Sequence, residues 1–149
     1  MEWLTDPGLA LPVVSAVTVW TNVGYVTLFF LAGILAIPED IHDAARLDGA
    51  NAWQRFWKIT LPLLRPTLFF VLVTGIISAA KVFDAVYALT GGGPQNPTDL
   101  VAHRIYAEAF GAAAVGRAAV MAILLFAILV AATVVQHLYF RRRISYDLA

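Results

Sequence analysis

A polar stretch at residues 43–66, DAARLDGANAWQRFWKITLPLLRP, carries the residue types best suited to binding a partner molecule. Four of the ten lysine and arginine residues lie in it, and long apolar runs flank it on both sides. An amphipathic helix resting in the lipid interface would have a similar mixture of tryptophan and arginine. A helix that inserts into a protein partner is the alternative, and small side chains favour it because they permit close backbone approach. These small residues are Ala44, Ala45, Gly49 and Ala50.

A short helix is expected to carry the first of these side chains. Pro38 followed by Glu39 and Asp40 is typical of a helix start, because proline fits the first turn and acidic groups stabilise its positive end. Gly49 is expected to break that helix, since glycine readily leaves the helical conformation.

A second helix is predicted over residues 50–59. It would place Trp53, Phe56 and Trp57 on one face, at i, i+3 and i+4 spacing. Leu61-Pro62 is expected to stop this helix before the next apolar run begins.

Two charged residues, Lys81 and Asp84, interrupt a later apolar run and could line a path for a polar solute. Charges inside a membrane span cost roughly 2.5–3.5 kcal/mol each, so they normally face a partner or a water-filled cavity. One interpretation is a pair that neutralises itself on one helix face, since the two residues stand three positions apart. The other is a polar lining for translocation, in which Phe83 and Tyr87 offer flat faces to a sugar ring.

No set of residues in the sequence predicts catalysis or metal binding. The chain has no cysteine, its three histidines (42, 103 and 137) lack ligand spacing, and neither HExxH nor GxSxG occurs. The TGGGP at 90–94 lacks the Gly-Lys-Ser/Thr ending of a phosphate-binding loop, so we interpret it as a turn open to positive φ. The formal net charge of zero predicts no polyanionic partner, and hence no nucleic acid.

The composition indicates a membrane protein. Of the 149 residues, 60% are hydrophobic and only 13% are charged, against roughly a quarter charged in an average soluble domain. About 20 apolar residues suffice to cross the ~30 Å hydrocarbon layer, and three runs reach that length, which predicts an all-α, polytopic fold. The expected order is a membrane helix at 9–37, a polar loop at 38–65, a membrane helix at 66–90, a loop with a short helix at 91–117, a membrane helix at 118–140 and a tail at 141–149.

Basic residues in short loops predict the orientation, because they are retained on the cytoplasmic side. With three alternating helices, the loop at 38–65 and the C-terminus share one side and should be cytoplasmic, with 91–117 outside. The basic residues are Arg46, Arg55, Lys58, Arg65, Arg141, Arg142 and Arg143 on that side, and Arg104 and Arg117 on the other. The N-terminus would then lie outside without a signal sequence, so we expect the chain to be the C-terminal part of a longer protein.

The polar stretch resembles the EAA loop of ABC-importer permeases, whose pattern is Glu-Ala-Ala, three residues, glycine, nine residues, then Ile-x-Leu-Pro. Asp43-Ala44-Ala45, Gly49 and Ile59-x-Leu61-Pro62 stand at those spacings. Similarity to carbohydrate-type permeases continues through IPEDIHDAARLDGA, LPLLRPTLFFVLVTG and VFDAVYALTGGGP. The one departure is Asp43 in place of glutamate, which keeps the charge but shortens the side chain by one methylene.

The resemblance implies half of a type I ABC importer transmembrane domain, which is a transport subunit and not an enzyme. The loop would form a coupling helix in a cleft of a cytoplasmic ATPase dimer, which would bind ATP and Mg, while this chain would bind no cofactor. A second permease subunit and an extracytoplasmic solute-binding protein would complete an inner-membrane importer for a sugar or related solute. The implied ATPase contacts are Asp43, Ala44, Ala45, Asp48, Gly49 and Ala50, and the residues expected to brace the loop are Trp53, Phe56, Ile59, Leu61 and Pro62.

A stand-alone scaffold or assembly protein with three membrane spans is the alternative function. It would use the same polar loop to dock a different partner. Further hydrophobic spans encoded in frame upstream of the chain would favour the permease over the scaffold.

Overall fold

The computed structural model of the chain describes residues 3–93 and 97–141. The regular secondary structure of those residues is entirely helical, with eight α-helices and two single π-helical turns. The helices are α1 (Ala10–Leu35), α2 (Glu39–Leu47), α3 (Ala52–Arg55), α4 (Leu61–Leu63), α5 (Arg65–Ala80), α6 (Asp84–Leu89), α7 (Val101–Tyr106) and α8 (Val115–Arg141), and the π-turns are Phe56–Thr60 and Ala107–Gly111.

Three stretches are long and apolar enough to cross a membrane, which confirms the prediction of an all-α chain with three membrane-spanning helices. They are Ala10–Leu35, Arg65–Leu89 and Val115–Arg141, with 26, 25 and 27 residues. At about 1.5 Å per residue, a helix of this length exceeds the ~30 Å hydrocarbon layer. Almost none of the residues in these stretches is fully buried within the chain, so many of their apolar side chains are available to lipid or to other protein.

The contact between α1 and α5 is close because it is built around a glycine. A Cβ atom on Gly33 would lie 2.5 Å from Thr67 Oγ1 and 2.9 Å from Leu64 Cδ2. One helix turn away, the rings of Phe29 and Phe70 pack at 4.9 Å between their centroids. These contacts hold the end of α1 against the start of α5.

The third span packs on the other side of α5. The ring of Phe69 lies 5.2 Å from that of Phe140 and 6.1 Å from that of His137, at the end of the bundle where α5 begins. At the opposite end α6 packs on the start of α1, where Val14 and Val86 are fully buried. The α5 helix is therefore the middle element of the bundle.

The second span is not one continuous helix. The α5 helix ends at Ala80, and α6 begins at Asp84 after a break that includes Lys81. No ion pair joins Lys81 to Asp84 within the described residues. The interpretation of these residues as a neutral pair on one helix face is therefore wrong, because the interruption removes the helical register that would bring their side chains together.

The helix predicted over residues 50–59 starts later and continues further than expected. Asn51 caps α3, and the helical path runs through the π-turn and α4 as far as Leu63. Pro62 does not stop it, because it occupies the first turn of α4, where no backbone N–H is needed. The π-turn just before it, in which the Leu61 N–H donates to the Phe56 carbonyl, carries the chain into that turn.

Candidate functional site

The connection between the first two spans, residues 38–65, is shaped by local caps and is hereafter the first connection. Its α2 helix begins with two acidic residues in the first turn, as predicted. At the other end Gly49 has a φ of +77°. The N–H groups of Gly49 and Ala50 donate to the carbonyls of Arg46 and Ala45, both at 3.0 Å. This is a Schellman motif, in which a left-handed glycine closes the helix, so the predicted break at Gly49 is confirmed.

The residues predicted to contact an ATPase do not share one environment. Ala45 is only 7% exposed and faces back into the chain, and Ala50 is half-buried. Leu47 was not predicted, yet it is 90% exposed on the same helix. The sequence signal that could have identified Leu47 was a single leucine on the solvent side of a polar helix. The exposed members of the predicted set are Asp43, Ala44, Asp48 and Gly49.

The aromatic residues of the first connection contact one another. Trp57 lies 5.6 Å from Trp53 and 5.4 Å from Phe56 between ring centroids, so the predicted grouping at i, i+3 and i+4 is confirmed. The three side chains are 43–70% exposed. A capping box precedes them, in which the Gln54 N–H donates to Asn51 Oδ1 at 2.9 Å and the Asn51 N–H donates to Gln54 Oε1 at 3.0 Å.

The tightest attachment of the first connection to the spans is Leu64. This side chain is only 5% exposed and lies against Gly33 of α1. The residues predicted to brace the loop nearby are half-buried, namely Ile59, Leu61 and Pro62. Sequence analysis missed Leu64 because a leucine beside a membrane span carries no distinguishing signal until its neighbour is known.

A groove of about 190 Å³ between α1 and α5 gathers polar side chains within the membrane-spanning part of the chain. The Asn22 amide nitrogen donates to the Thr18 carbonyl at 2.8 Å, and the Thr74 hydroxyl donates to the Phe70 carbonyl at 2.8 Å. The sequence analysis missed this groove because it searched for charges. The sequence signal that could have identified the groove was a pair of uncharged polar residues four positions apart on each helix. The polar lining residues are Thr18, Asn22, Tyr25, Thr74 and Ser78.

The structure separates the residues predicted to line a solute path. Lys81 lines a different groove, between α5 and α8. Asp84 is exposed at the first turn of α6. Phe83 and Tyr87 do come together, with their rings stacked at 5.3 Å between centroids.

Phe83 and Tyr87 belong to a larger aromatic cluster that includes the segment between the second and third spans. Tyr106 of α7 lies 5.0 Å from Phe83 and 5.5 Å from Tyr87 between ring centroids, and Phe110 lies 5.0 Å from Tyr106. A hydrogen bond to Tyr87 raises the pKa of Tyr106. Tyr87 and Phe110 remain 54% and 76% exposed, so the cluster presents ring faces and hydroxyl groups on its outside.

An alternating chain of charges holds this second connection, residues 91–117, against the start of α8. His103 Nδ1 donates to Asp99 Oδ1 at 2.8 Å, and Arg104 donates to Asp99 Oδ2 at 3.0 Å. The hydrogen bond from His103 is the main reason that the pKa of Asp99 lies below its usual value. Glu108 lies 3.5 Å from Arg104 and 3.1 Å from Arg117, and the last contact is an ion pair outside hydrogen-bond geometry.

The glycine-rich turn that starts the second connection has the predicted positive φ angles, +56° at Gly91 and +87° at Gly92. A Cβ atom on Gly92 would lie 2.7 Å from His103 Cε1. The fully buried Thr98 donates its hydroxyl to the Gly93 carbonyl and lies 2.8 Å from the Thr90 hydroxyl. Pro94, the last residue of the predicted turn, lies outside the described residues, as do residues 142–149 of the basic tail.

Comparison with known sequences identifies relatives along almost the whole chain. A family model described as "Binding-protein-dependent transport system inner membrane component" matches residues 2–146. The chain is 37% identical over 144 residues to the sn-glycerol-3-phosphate transport system permease protein UgpA of Agrobacterium fabrum, covering 96% of this chain and 49% of that protein. It is 43% identical over 102 residues to the trehalose/maltose transport system permease protein MalF of Thermococcus litoralis, covering 68% of this chain and 35% of that protein. The chain thus spans half or less of the length of these two relatives.

Comparison with solved structures indicates the same fold. The chain superposes with a TM-score of 0.81 on a subunit from the crystal structure of a bacterial ABC transporter involved in the import of the acidic polysaccharide alginate. The match covers 97% of this chain and 51% of the other, at 23% sequence identity. At that identity the likeness concerns the arrangement of the helices.

Proposed function

Because the chain belongs to the family of binding-protein-dependent transport system inner membrane components, we propose that it acts as a permease subunit of an ABC importer. It is a multi-pass protein of the inner membrane, given its family and its three apolar helices. ATP hydrolysis takes place on a separate ATPase subunit. The observation that carries this proposal is the exposed, glycine-terminated α2 helix held between two membrane spans.

The first connection transmits the movement of the ATPase to the spans. The exposed side of α2 enters a cleft of the ATPase dimer, with Asp43, Ala44, Asp48 and Gly49 as contacts and Leu47 as an apolar contact beside them. Ala45 and Ala50 support the helix from its inner side. Because Leu64 is packed against Gly33, a movement that reaches the end of the first connection is passed to both α1 and α5 through a close contact.

The aromatic group of the first connection braces the docked helix. Trp53, Phe56 and Trp57 form a contiguous ring surface that is largely exposed. In the importer this surface lies against the ATPase or the membrane interface, where aromatic rings with polar edges are stable. Ile59, Leu61 and Pro62 continue the brace into α5.

The solute path follows the polar groove between α1 and α5 and the aromatic cluster near the end of α6. Several donors of the groove already bind backbone carbonyls, and their oxygen atoms remain as acceptors for a polar solute that would otherwise be desolvated in the membrane. Phe83 and Tyr87, extended by Tyr106, offer ring faces, with Asp84 beside them. Relatives named for trehalose/maltose and sn-glycerol-3-phosphate transport support a sugar or related solute.

The orientation of the chain follows from the coupling role of α2. If the first connection meets the ATPase, it is cytoplasmic, and so is the C-terminus after the third span. The second connection then faces an extracytoplasmic solute-binding protein. A second permease subunit completes the solute path. The many large apolar side chains that this chain leaves exposed support such a partner.

The decisive experiment is co-purification with the ATPase subunit after a substitution at Gly49. A Cβ at Gly49 meets no atom of the chain within 4 Å, so a large side chain there would project away from the protein. We expect Gly49→Trp to abolish co-purification because its indole occupies the space of the ATPase contact. Gly49→Ala is the matched control, since it carries the same backbone strain at φ +77° but adds little volume.

Two results would contradict the coupling role. One is an intact complex with Gly49→Trp. The other is an equal loss with both substitutions, which would assign the effect to backbone strain and not to an obstructed contact.

A further inference from the structure

A second groove, of about 560 Å³, opens between α5 and α8 on the side of α5 away from the polar groove. The two helices touch through Phe69 and Phe140 where α5 begins and separate toward the second connection. Ile105 of α7 and Lys81, the residue that follows α5, both belong to its lining. Neither residue belongs to the lining of the groove between α1 and α5.

The groove has the length and the chemistry to hold a lipid acyl chain. Along α8 it extends from Ala122 to Val134, which at ~1.5 Å per residue is about 18 Å, slightly more than half of the ~30 Å hydrocarbon layer. Its lining is apolar apart from Lys81 and Thr133. The Thr133 hydroxyl already donates to the Leu129 carbonyl at 2.8 Å. The groove therefore suits an acyl chain and not a hydrated solute.

Lys81 supplies a positive charge where that acyl chain would reach a headgroup. Its side chain is exposed, and no carboxylate in residues 3–93 or 97–141 forms an ion pair with it. A lysine at this depth extends its ammonium group toward the interface while its methylene groups stay on apolar surface. An anionic group at the mouth of the groove would neutralise it.

We propose that the groove binds one anionic phospholipid, with an acyl chain between α5 and α8 and the phosphate-bearing headgroup at Lys81. This lipid site takes no part in the proposed solute path and does not depend on transport activity. It gives Lys81 a contact with lipid, whereas Phe83 and Tyr87 pack against the second connection.

Native mass spectrometry of the full chain tests this proposal. Purified protein in detergent is titrated with phosphatidylglycerol or with phosphatidylcholine, and the fraction that retains one lipid is measured. We expect Lys81→Gln to weaken phosphatidylglycerol retention about fivefold, the contribution of one basic residue near an anionic membrane surface, and to leave phosphatidylcholine retention unchanged. Lys58→Gln is the matched control, because it removes the other lysine of the chain, which does not line the groove.

A second pair of variants tests the groove without changing charge. Ala122→Trp fills the groove and should reduce retention of both lipids, whereas Ala131→Trp places the same side chain on an exposed part of α8 outside the groove. Equal phosphatidylglycerol retention in wild type and Lys81→Gln would overturn the proposal, as would equal losses in the two tryptophan variants. The proposal would also be overturned if the wild-type chain retained no lipid, whether as a monomer or as a dimer of two copies.

Discussion

The two connections between the spans obtain their shapes in different ways. In the first connection, hydrogen bonds between residues close in sequence form a helix start, a Schellman motif at Gly49 and a capping box at Asn51. In the second connection, the positions depend on contacts between separate elements, such as the rings of Phe83 and Tyr106 and the ion pair between Glu108 and Arg117.

The difference agrees with the roles that we propose for them. A helix that holds its own shape can keep most of its surface exposed for a partner, and Leu47 at 90% exposure illustrates this. A segment that is tied to a span by ring contacts and by ion pairs with largely buried carboxylates moves with that span. Substitutions in the second connection should therefore affect stability more, and substitutions in the first connection should affect docking more.

Gly92→Ala should have the largest effect, lowering the free energy of unfolding by about 2–4 kcal/mol. Alanine at φ +87° is strained, and its Cβ would lie 2.7 Å from His103 Cε1. His103 cannot move away without losing its hydrogen bond to Asp99. Gly49→Ala is the matched control, because its φ of +77° imposes similar strain but leaves open space around the Cβ. Thermal unfolding in detergent, followed by circular dichroism, measures both, and equal losses would remove the distinction between the connections.

Asp99→Asn should have the second-largest effect, lowering the free energy of unfolding by about 1.5 kcal/mol at neutral pH. It removes charge-assisted hydrogen bonds to His103 and Arg104. The pKa of Asp99 is lowered below 3.8 in the folded chain, chiefly by His103. Its contribution to stability is therefore complete above pH 3.8 and is lost as the pH falls through the lowered pKa. Melting temperatures measured against pH should show wild type and Asp99→Asn converging in acid, and a constant difference down to pH 2 would contradict this.

Asn51→Ala should cost about 1 kcal/mol, the usual effect of removing a helix N-cap. The Gln54 N–H loses its acceptor on Asn51, so the effect should be confined to the start of α3. Amide hydrogen exchange resolved by segment measures it. Faster exchange that extended into α7 would show that the first connection is coupled to the second more strongly than its local hydrogen bonds indicate.

Asp43→Asn should have the smallest effect on stability, below about 0.5 kcal/mol. Its ion pair with Arg46, at 2.8 Å, joins two side chains that are more than 60% exposed. The same substitution should nevertheless weaken ATPase co-purification, because Asp43 is a proposed contact. A stability loss as large as that of Asp99→Asn, measured in the same melting series, would remove the contrast between an exposed ion pair and a largely buried one.

Much of the fold followed from the sequence because it depends on local chemistry. Apolar runs of membrane length form helices, since a helix satisfies all its backbone hydrogen bonds within the segment and lipid offers none. Pro38 and Gly49 marked the ends of α2 for equally local reasons. The polar stretch at 43–66, with the family it resembles, was likewise recognisable from residue types and spacing alone.

Tertiary structure decided the rest, because it depends on how the helices are rotated and how closely they approach. Only the packed helices showed that Leu64 meets Gly33, that Lys81 lies on a different side of α5 from the polar groove, and that Tyr106 joins Phe83. The break after Ala80 also separated Lys81 from Asp84, although their spacing had allowed a pair on one helix face. Spacing along the chain determines which residues can share one helix face, whereas the neighbour that each face meets is determined by packing between residues far apart in the sequence.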